Sequence, residues 1–450
     1  MRAALCGAFN NQVRIALLLA ALAGLAILPY IPVFSQPLIA DDYQQIDISR
    51  TWGPPSGWPG LAADRLYRSR ATSIIYTYWT DRFFGVNPPV LYASTLLLHV
   101  INVWLLFALG SWKRLGWKVS FAMAGFFALY QGHQEAVMWY AALHELFLFL
   151  FVSLFLIFWT KWMEKPSGGW GLYAASSLCF LLAIFSKEPG VVLVPFAALI
   201  AWWDGRNRRV QLAAVIPFAI VTLWYTYEIL TAGKAHQHLN DGTFSIHAPF
   251  WITWRNSYGR LLWVWGFISL AWLWASGEWR RYRSLLLAAG IWISIALLPF
   301  SFLTYMPRIP SRHTYLSSAG LALLVGIGLV SFHERTRERW RFALPAVATV
   351  LIAHHCLYLW LVKRPQYLAR AQSSETVLRL VREGHTPLHI VCFPYNSMVG
   401  DLAVKMALKR DPAGLLVWEN GFQQPTCPAG RFTWPGGAEP AAQSAHAALH

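Results

Sequence analysis

The sequence predicts an all-α polytopic membrane protein of about 11 transmembrane helices, with a small extracytoplasmic α/β unit at its C-terminus. Three observations predict it. Of the 450 residues 56% are hydrophobic and only 13% charged, far from a soluble composition. Apolar runs close to the ~20 residues that cross a bilayer as helix recur along most of the chain. Short connections rich in Lys and Arg follow every second run, the pattern that marks cytoplasmic loops.

The elements follow in order. Residues 15–34 form the first span and read as an uncleaved anchor, because no small-x-small cleavage site follows them. A long loop, 35–88, comes next. Its segments Ile46–Arg50 and Ala62–Leu66 have the pattern of short amphipathic helices on a membrane surface. Further spans are expected at 89–110, 145–162, 210–231, 259–276, 285–304, 314–332 and 342–362. Shorter runs at 119–131, 171–185 and 190–203 fit tilted or short spans inside a bundle. A second long loop covers 232–258. From 363 the chain turns polar. Glu375–Arg382 reads as helix, Leu388–Phe393 as strand, Asp401–Lys409 as helix and Gly414–Trp418 as strand. The expected division is therefore a membrane domain 1–362, a small outer unit 363–423 and a disordered Pro/Gly/Ala-rich tail 424–450.

Charge fixes orientation. Lys113, Arg114, Lys118, Lys161, Lys165, Arg206, Arg208, Arg209, Arg280, Arg281, Arg283, Arg335, Arg337, Arg339 and Arg341 all fall on one side when loops are counted alternately. That side is cytoplasmic, with the N-terminus inside and residues 363–450 outside. The formal charge of +16 is then a topology signal plus attraction to anionic membrane lipids. Its dispersal over separate loops speaks against nucleic acid as a partner. The five cysteines are scattered; Cys392 and Cys427 share the outer compartment and are a candidate pair. His236, His238 and His247 share a loop but lack metal-ligand spacing, so no metal site is expected.

Polar clusters beside the apolar runs all fall on the outer face. Asp41–Asp42–Tyr43 follows the first span, and Gln131–Val137, with His133 and Glu135, lies between the third and fourth. Ser186–Lys187–Glu188–Pro189 lies between the fifth and sixth, and Pro310–Tyr315, with Arg312, opens the tenth. Ionisable groups near a bilayer are expensive, and four clusters on one face suggest one shared cavity. Each has a structural alternative. Asp41 and Asp42 fit a helix start, Lys187 and Glu188 an interfacial pair, Arg312 a snorkelling contact to lipid phosphate and Glu135 an interhelical hydrogen bond. His99 and Asn102 share one helical face and read as structural polar residues joining helices.

The order and spacing of five motifs resemble the polytopic GT-C-type glycosyltransferases that use polyprenyl-phosphate sugars, in particular the protein O-mannosyltransferases and their tetratricopeptide-bearing relatives. The motifs are Asp41–Tyr43, Leu98–Asn102, His133–Trp139, Ser186–Glu188 and Ser311–Ser317, and they cover roughly residues 10–330. The resemblance implies transfer of a sugar from a polyprenyl phosphate to an extracytoplasmic acceptor on a glycan or protein, with inversion, and the compact loops favour a bacterial plasma membrane. It implies Asp41 as the base, already ionised at an ordinary pKa, with Asp42 as helper. It makes Lys187 and Arg312 partners of the leaving phosphate, and places His133, Glu135, Glu188 and Tyr315 at the substrate. No cofactor is required, and a divalent cation is left open. Three features depart from the family. Leu143–His144–Glu145 stands where an Arg or Asn and then an Asp are usual, Ser311 stands where an acid often precedes the Arg, and no tetratricopeptide array follows.

Two other classes fit many spans and basic loops. A transporter or lipid flippase would more often show repeated halves and helices broken at mid-membrane, and the sequence shows no internal repeat. A non-catalytic envelope-assembly subunit would have no use for the acid pair.

Overall fold

The apolar runs fold as helices because a bilayer leaves backbone N–H and C=O groups no partners but each other. The computed structural model describes residues 2–439 apart from 112–114, 166–168, 233–236, 241, 305–307, 339, 392 and 420–430. Six helical segments are long and apolar enough to cross a membrane: Gln12–Ser35, Pro88–Ala108, Tyr140–Glu164, Arg208–Ala232, Trp279–Phe302 and Ala343–Arg382. Shorter apolar helices at Gly116–Leu129, Trp170–Ile184, Glu188–Trp203 and Trp265–Ala275 match the expected short spans. The Ser318–Thr336 helix completes the bundle. The chain is an integral membrane protein built from helices, with a small sheet at its C-terminal end.

Helix Ser318–Thr336 lies at the centre, and its glycines show why it can. A Cβ on Gly326 would stand 2.8 Å from the Met123 backbone nitrogen, and one on Gly320 would stand 2.8 Å from the Ala289 carbonyl oxygen. Small residues let helix backbones approach where lipid supplies no hydrophobic drive. At one end of the bundle Glu334 pairs with Arg281 at 2.8 Å and Lys118 at 3.9 Å, and Glu278 pairs with Arg335 at 2.8 Å. Three of the basic connections thus meet at a single end, as the loop count requires.

Two expectations need correction. The run 259–276 is not one span. An amphipathic helix, Phe250–Leu262, ends at Trp263, and a new helix starts at Trp265 after Val264 at φ 65°, a conformation a β-branched residue rarely adopts. The tail is not wholly without structure either. Arg431–Trp434 and Gly437–Glu439 pair as strands. They belong to a four-stranded sheet in which β1 (Leu388–Val391) is parallel to β2 (Leu416–Glu419) and antiparallel to β3 (Arg431–Trp434), with β4 (Gly437–Glu439) at the edge. Phe432 supplies an inward side chain that composition alone conceals. Cys392, Cys427, Lys113, Arg114, His236 and the last residues lie outside the described set, as does the side chain of His238.

No break separates the bundle from this sheet. Ala343–Arg382 is one helical rod of 40 residues with a π-helical turn at Tyr358–Lys363. At ~1.5 Å per residue it is about twice as long as a bilayer core is thick, so its second half projects beyond the membrane.

Candidate functional site

The first loop builds the site's floor. Asp41 and Asp42 start the helix Asp41–Trp52, where carboxylates suit the positive end of the dipole. Adjacent helical positions point about 100° apart, and here the pair divides. Asp42 is fully buried. Its carboxylate accepts the N–H of Ile39 at 2.9 Å, the N–H of Ala141 at 2.7 Å and the Tyr92 hydroxyl at 3.2 Å. Burial pushes its pKa up to about 7 against those three donors. Ala40, just before the pair, sits at φ 43°, a strained position held by the Asp42 bonds on either side. Asp42 therefore fixes the chain that presents Asp41, and it lines no cavity. Asp42→Asn is expected to lower stability by roughly 1–3 kcal/mol, because one amide cannot accept both backbone N–H groups. Thermal unfolding in detergent measures this, and an unchanged midpoint would refute it.

Asp41 points the other way, into a cavity of about 640 Å³. The same cavity is lined by Arg70, His144, Lys187, Glu188, Arg312 and His313, with Trp139 and Phe300 among its aromatic walls. These residues come from the ends of helices that all lie at the bundle end opposite Glu334. Solvent reaches Asp41 through the cavity, yet protein crowds its carboxylate. That crowding raises its pKa above the usual range, against the pull of Arg312, Arg370 and Arg70. An ordinary pKa at this position, as expected from sequence, is thus corrected.

Arg312 is aimed by two groups. Its backbone N–H donates to Glu135 Oε2 at 3.0 Å, and its guanidinium lies 3.8 Å from that oxygen and 5.0 Å from the centre of the Trp139 ring. Arg370, from the projecting rod, also stacks on Trp139, at 4.5 Å. Burial works against the Glu135 carboxylate, but Arg312 and the Ser311 hydroxyl outweigh it and hold its pKa low. Glu135 thus orients Arg312 and does not itself line the cavity.

Lys187 is buried in the turn after Trp170–Ile184. Its ammonium donates to Glu145 and lies 3.1 Å from His144 Nε2 and 2.9 Å from His313 Nδ1. Burial lowers its pKa to about 8, with Glu145 pulling the other way. Beside it Glu188 accepts the Ser69 hydroxyl at 2.8 Å, and the Thr72 hydroxyl donates to Ser186 at 2.8 Å. Glu188 thus faces the cavity and also staples the first loop to this turn.

The remaining expected residues lie elsewhere. Tyr315 is fully buried, with its hydroxyl 2.7 Å from His99 Nδ1 and 3.4 Å from Asn102 Nδ2. It belongs with His99 and Asn102 to a polar knot between helices, not to the cavity wall. His133 is buried with Nε2 2.6 Å from the Ser318 hydroxyl. Burial holds its imidazole neutral, and it likewise stays off the cavity. Arg70, His144, Glu145 and Arg370 had no assigned place from sequence. Of these, His144 and Glu145 carried a signal as the segment that departs from the resembled motif pattern, and Glu145 also as an acid in the first turn of a long apolar helix. Among the described residues no group of three His, Cys, Asp or Glu side chains could hold a metal ion.

No family model matches the sequence, and no curated protein matches it. Solved structures do. ArnT from Cupriavidus metallidurans bound to undecaprenyl phosphate superposes with a TM-score of 0.50 at 17% identity, over 87% of this chain and 75% of that one. The apo state of the same protein gives 0.45 at 17% identity, over 90% and 76%. An apo oligosaccharyltransferase from Archaeoglobus fulgidus gives 0.45 at 13% identity, over 82% and 58%. The first likeness is one of fold alone: the chain shares the membrane-helical architecture of ArnT. The narrower likeness to O-mannosyltransferases rests on the sequence motifs alone.

Proposed function

We propose that the protein moves a sugar from a polyprenyl-phosphate donor to an extracytoplasmic acceptor hydroxyl, on a glycan or a protein, with inversion at the sugar carbon. The observation that carries this is one cavity holding Asp41, Lys187 and Arg312 at one end of a bundle with the fold of ArnT, whose structure binds undecaprenyl phosphate. In this reading Asp41 takes the proton of the incoming hydroxyl as its oxygen attacks the sugar carbon. The bond from that carbon to the phosphate oxygen breaks, and the electron pair leaves with the lipid phosphate. Arg312 and Lys187 stabilise that charge, the guanidinium by gripping two oxygens and the ammonium as a point charge. In this reading the basic connections gathered at the other end face the cytoplasm, which supports a cavity on the outer side of a bacterial plasma membrane.

Reconstituted protein incubated with a panel of radiolabelled polyprenyl-phosphate sugars tests the reading. At least one donor should bind and be consumed. Failure to bind any member, by protein that remains folded, would overturn it.

The pH profile should be bell-shaped. Its acid limb lies above the usual carboxylate range, because burial raises the Asp41 pKa and a protonated acid cannot act as base. Its alkaline limb falls near pH 8 as Lys187 loses its proton. Lys187→Arg should move the alkaline limb well upward, since a guanidinium does not titrate there. An alkaline limb identical in Lys187→Arg would show that some other group sets it.

A further inference from the structure

We propose that Glu145 is a positioning residue that fixes the Lys187 ammonium for the donor's phosphate, with His313 arranged so that one Lys187 N–H stays turned to the cavity. The inference rests on the donor reading above.

Glu145 stands in the first turn of the helix Leu143–Glu164, behind the cavity wall formed by Lys187, His144 and His313. One of its oxygens, Oε1, meets both Lys187 Nζ and His313 Nδ1, the latter at 2.5 Å. An ammonium has three N–H donors. If Glu145, His144 and His313 each accepted one, none would be left for a ligand. His313 Nδ1 cannot both accept from Lys187 and donate to Glu145. With Glu145 ionised beside the Lys187 ammonium, a bare ring nitrogen 2.5 Å from its oxygen would set two lone pairs against each other, so in this arrangement Nδ1 carries the proton and donates to Glu145. It then offers Lys187 no acceptor. Glu145 takes one Lys187 N–H and His144 Nε2 takes a second, which leaves the third to the cavity.

Packing holds this arrangement in place. Phe300 stacks on the His313 ring with centroids 4.6 Å apart and planes 12° apart, and it lies 5.2 Å from Lys187 Nζ. The imidazole therefore keeps its edge toward Glu145. The charged or titratable groups facing Lys187 are Glu145, Glu188, Arg312, His144 and His313. Among them Glu145 is the carboxylate in direct hydrogen-bond contact. It keeps the buried lysine protonated at working pH. A neutral group in its place would leave only Glu188 to hold that proton against burial and Arg312.

The test is binding of decaprenyl phosphate, without sugar, to the full chain in nanodiscs between pH 6 and pH 9. Wild type should bind, weakening above about pH 8. In Glu145→Gln the midpoint should move to lower pH. Binding at pH 8 should then fall about fivefold for the first pH unit the midpoint moves and up to about tenfold for each further unit, and recover at pH 6 to within a few-fold. Adding Lys187→Arg to that variant should restore binding at pH 8. Glu145→Asp, which keeps the charge, should hold the wild-type midpoint, and it serves as the test should Glu145→Gln fail to fold. A uniform loss at every pH in Glu145→Gln, or a shifted midpoint in Glu145→Asp, would overturn the positioning role. Wild-type protein that binds no decaprenyl phosphate at any pH would instead overturn the donor reading itself.

Discussion

Asp41→Asn is expected to reduce sugar transfer by roughly 10²–10⁴ while leaving thermal unfolding unchanged. An amide keeps the shape and can still accept a hydrogen bond, but it cannot take the proton of the attacking hydroxyl. Among the described residues Asp41 makes no hydrogen bond comparable to those of Asp42, so removing its charge should cost the helix Asp41–Trp52 no more than a small dipole contribution. The contrast with Asp42→Asn is the sharper measurement. That variant should lose stability first, and activity only as far as the Ile39–Asp42 turn is disturbed. Wild-type turnover in both variants would show that the pair is structural and would remove the base from the mechanism.

Sequence alone could not have divided this pair. Asp41 and Asp42 are the same residue type at adjacent positions, and only the rotation of a helix that had not been located separates them. The bundle was more legible, because apolar runs and basic connections are properties of contiguous segments. Its failures have local causes. Trp263 and Val264 interrupt a run whose hydropathy does not change, and strand Arg431–Trp434 hides in a Pro- and Gly-rich tail because a single buried Phe432 suffices to anchor it. Within the site, the clusters that share the outer face were visible as clusters, but their members' directions were not. Tyr315 follows Arg312 by three residues and turns into the bundle, where His99 and Asn102 satisfy its hydroxyl. Arg70 sits among other arginines of the first loop with nothing to single it out. Arg370 lies far beyond the motifs, on a rod whose continuation past the membrane only the fold reveals.

That rod changes how the C-terminal unit relates to the site. Tyr395 donates its hydroxyl to the Arg370 carbonyl at 2.7 Å, and Lys405 lies 3.9 Å from Asp47 on the helix that begins with Asp41. The C-terminal unit is therefore tied both to the rod that carries Arg370 and to the helix that begins with the cavity residue Asp41. A free appendage would leave Arg370 unanchored above Trp139.

Arg312→Ala should weaken binding of a polyprenyl-phosphate donor by about 10–100-fold, the range of one or two charge-assisted hydrogen bonds at ~1.4 kcal/mol per tenfold. The loss should appear with no acceptor present, because the leaving phosphate belongs to the donor. Arg312→Lys should recover little of it. An ammonium keeps the charge but loses the planar fork that grips two oxygens and the face that lies on Trp139. Lysine would also keep the backbone N–H bond to Glu135, so its failure would isolate the guanidinium from the local fold. The transfer rate should fall further than binding does, since charge on the phosphate oxygens grows as the bond to the sugar breaks and the fork is worth most at that point. Donor titration by native mass spectrometry, alongside single-turnover transfer, separates the two effects. Equal donor affinity in wild type, Arg312→Lys and Arg312→Ala would return Arg312 to a structural partner of Glu135 and Trp139. Lys187 and Arg70 would then be the cavity cations left to meet the phosphate.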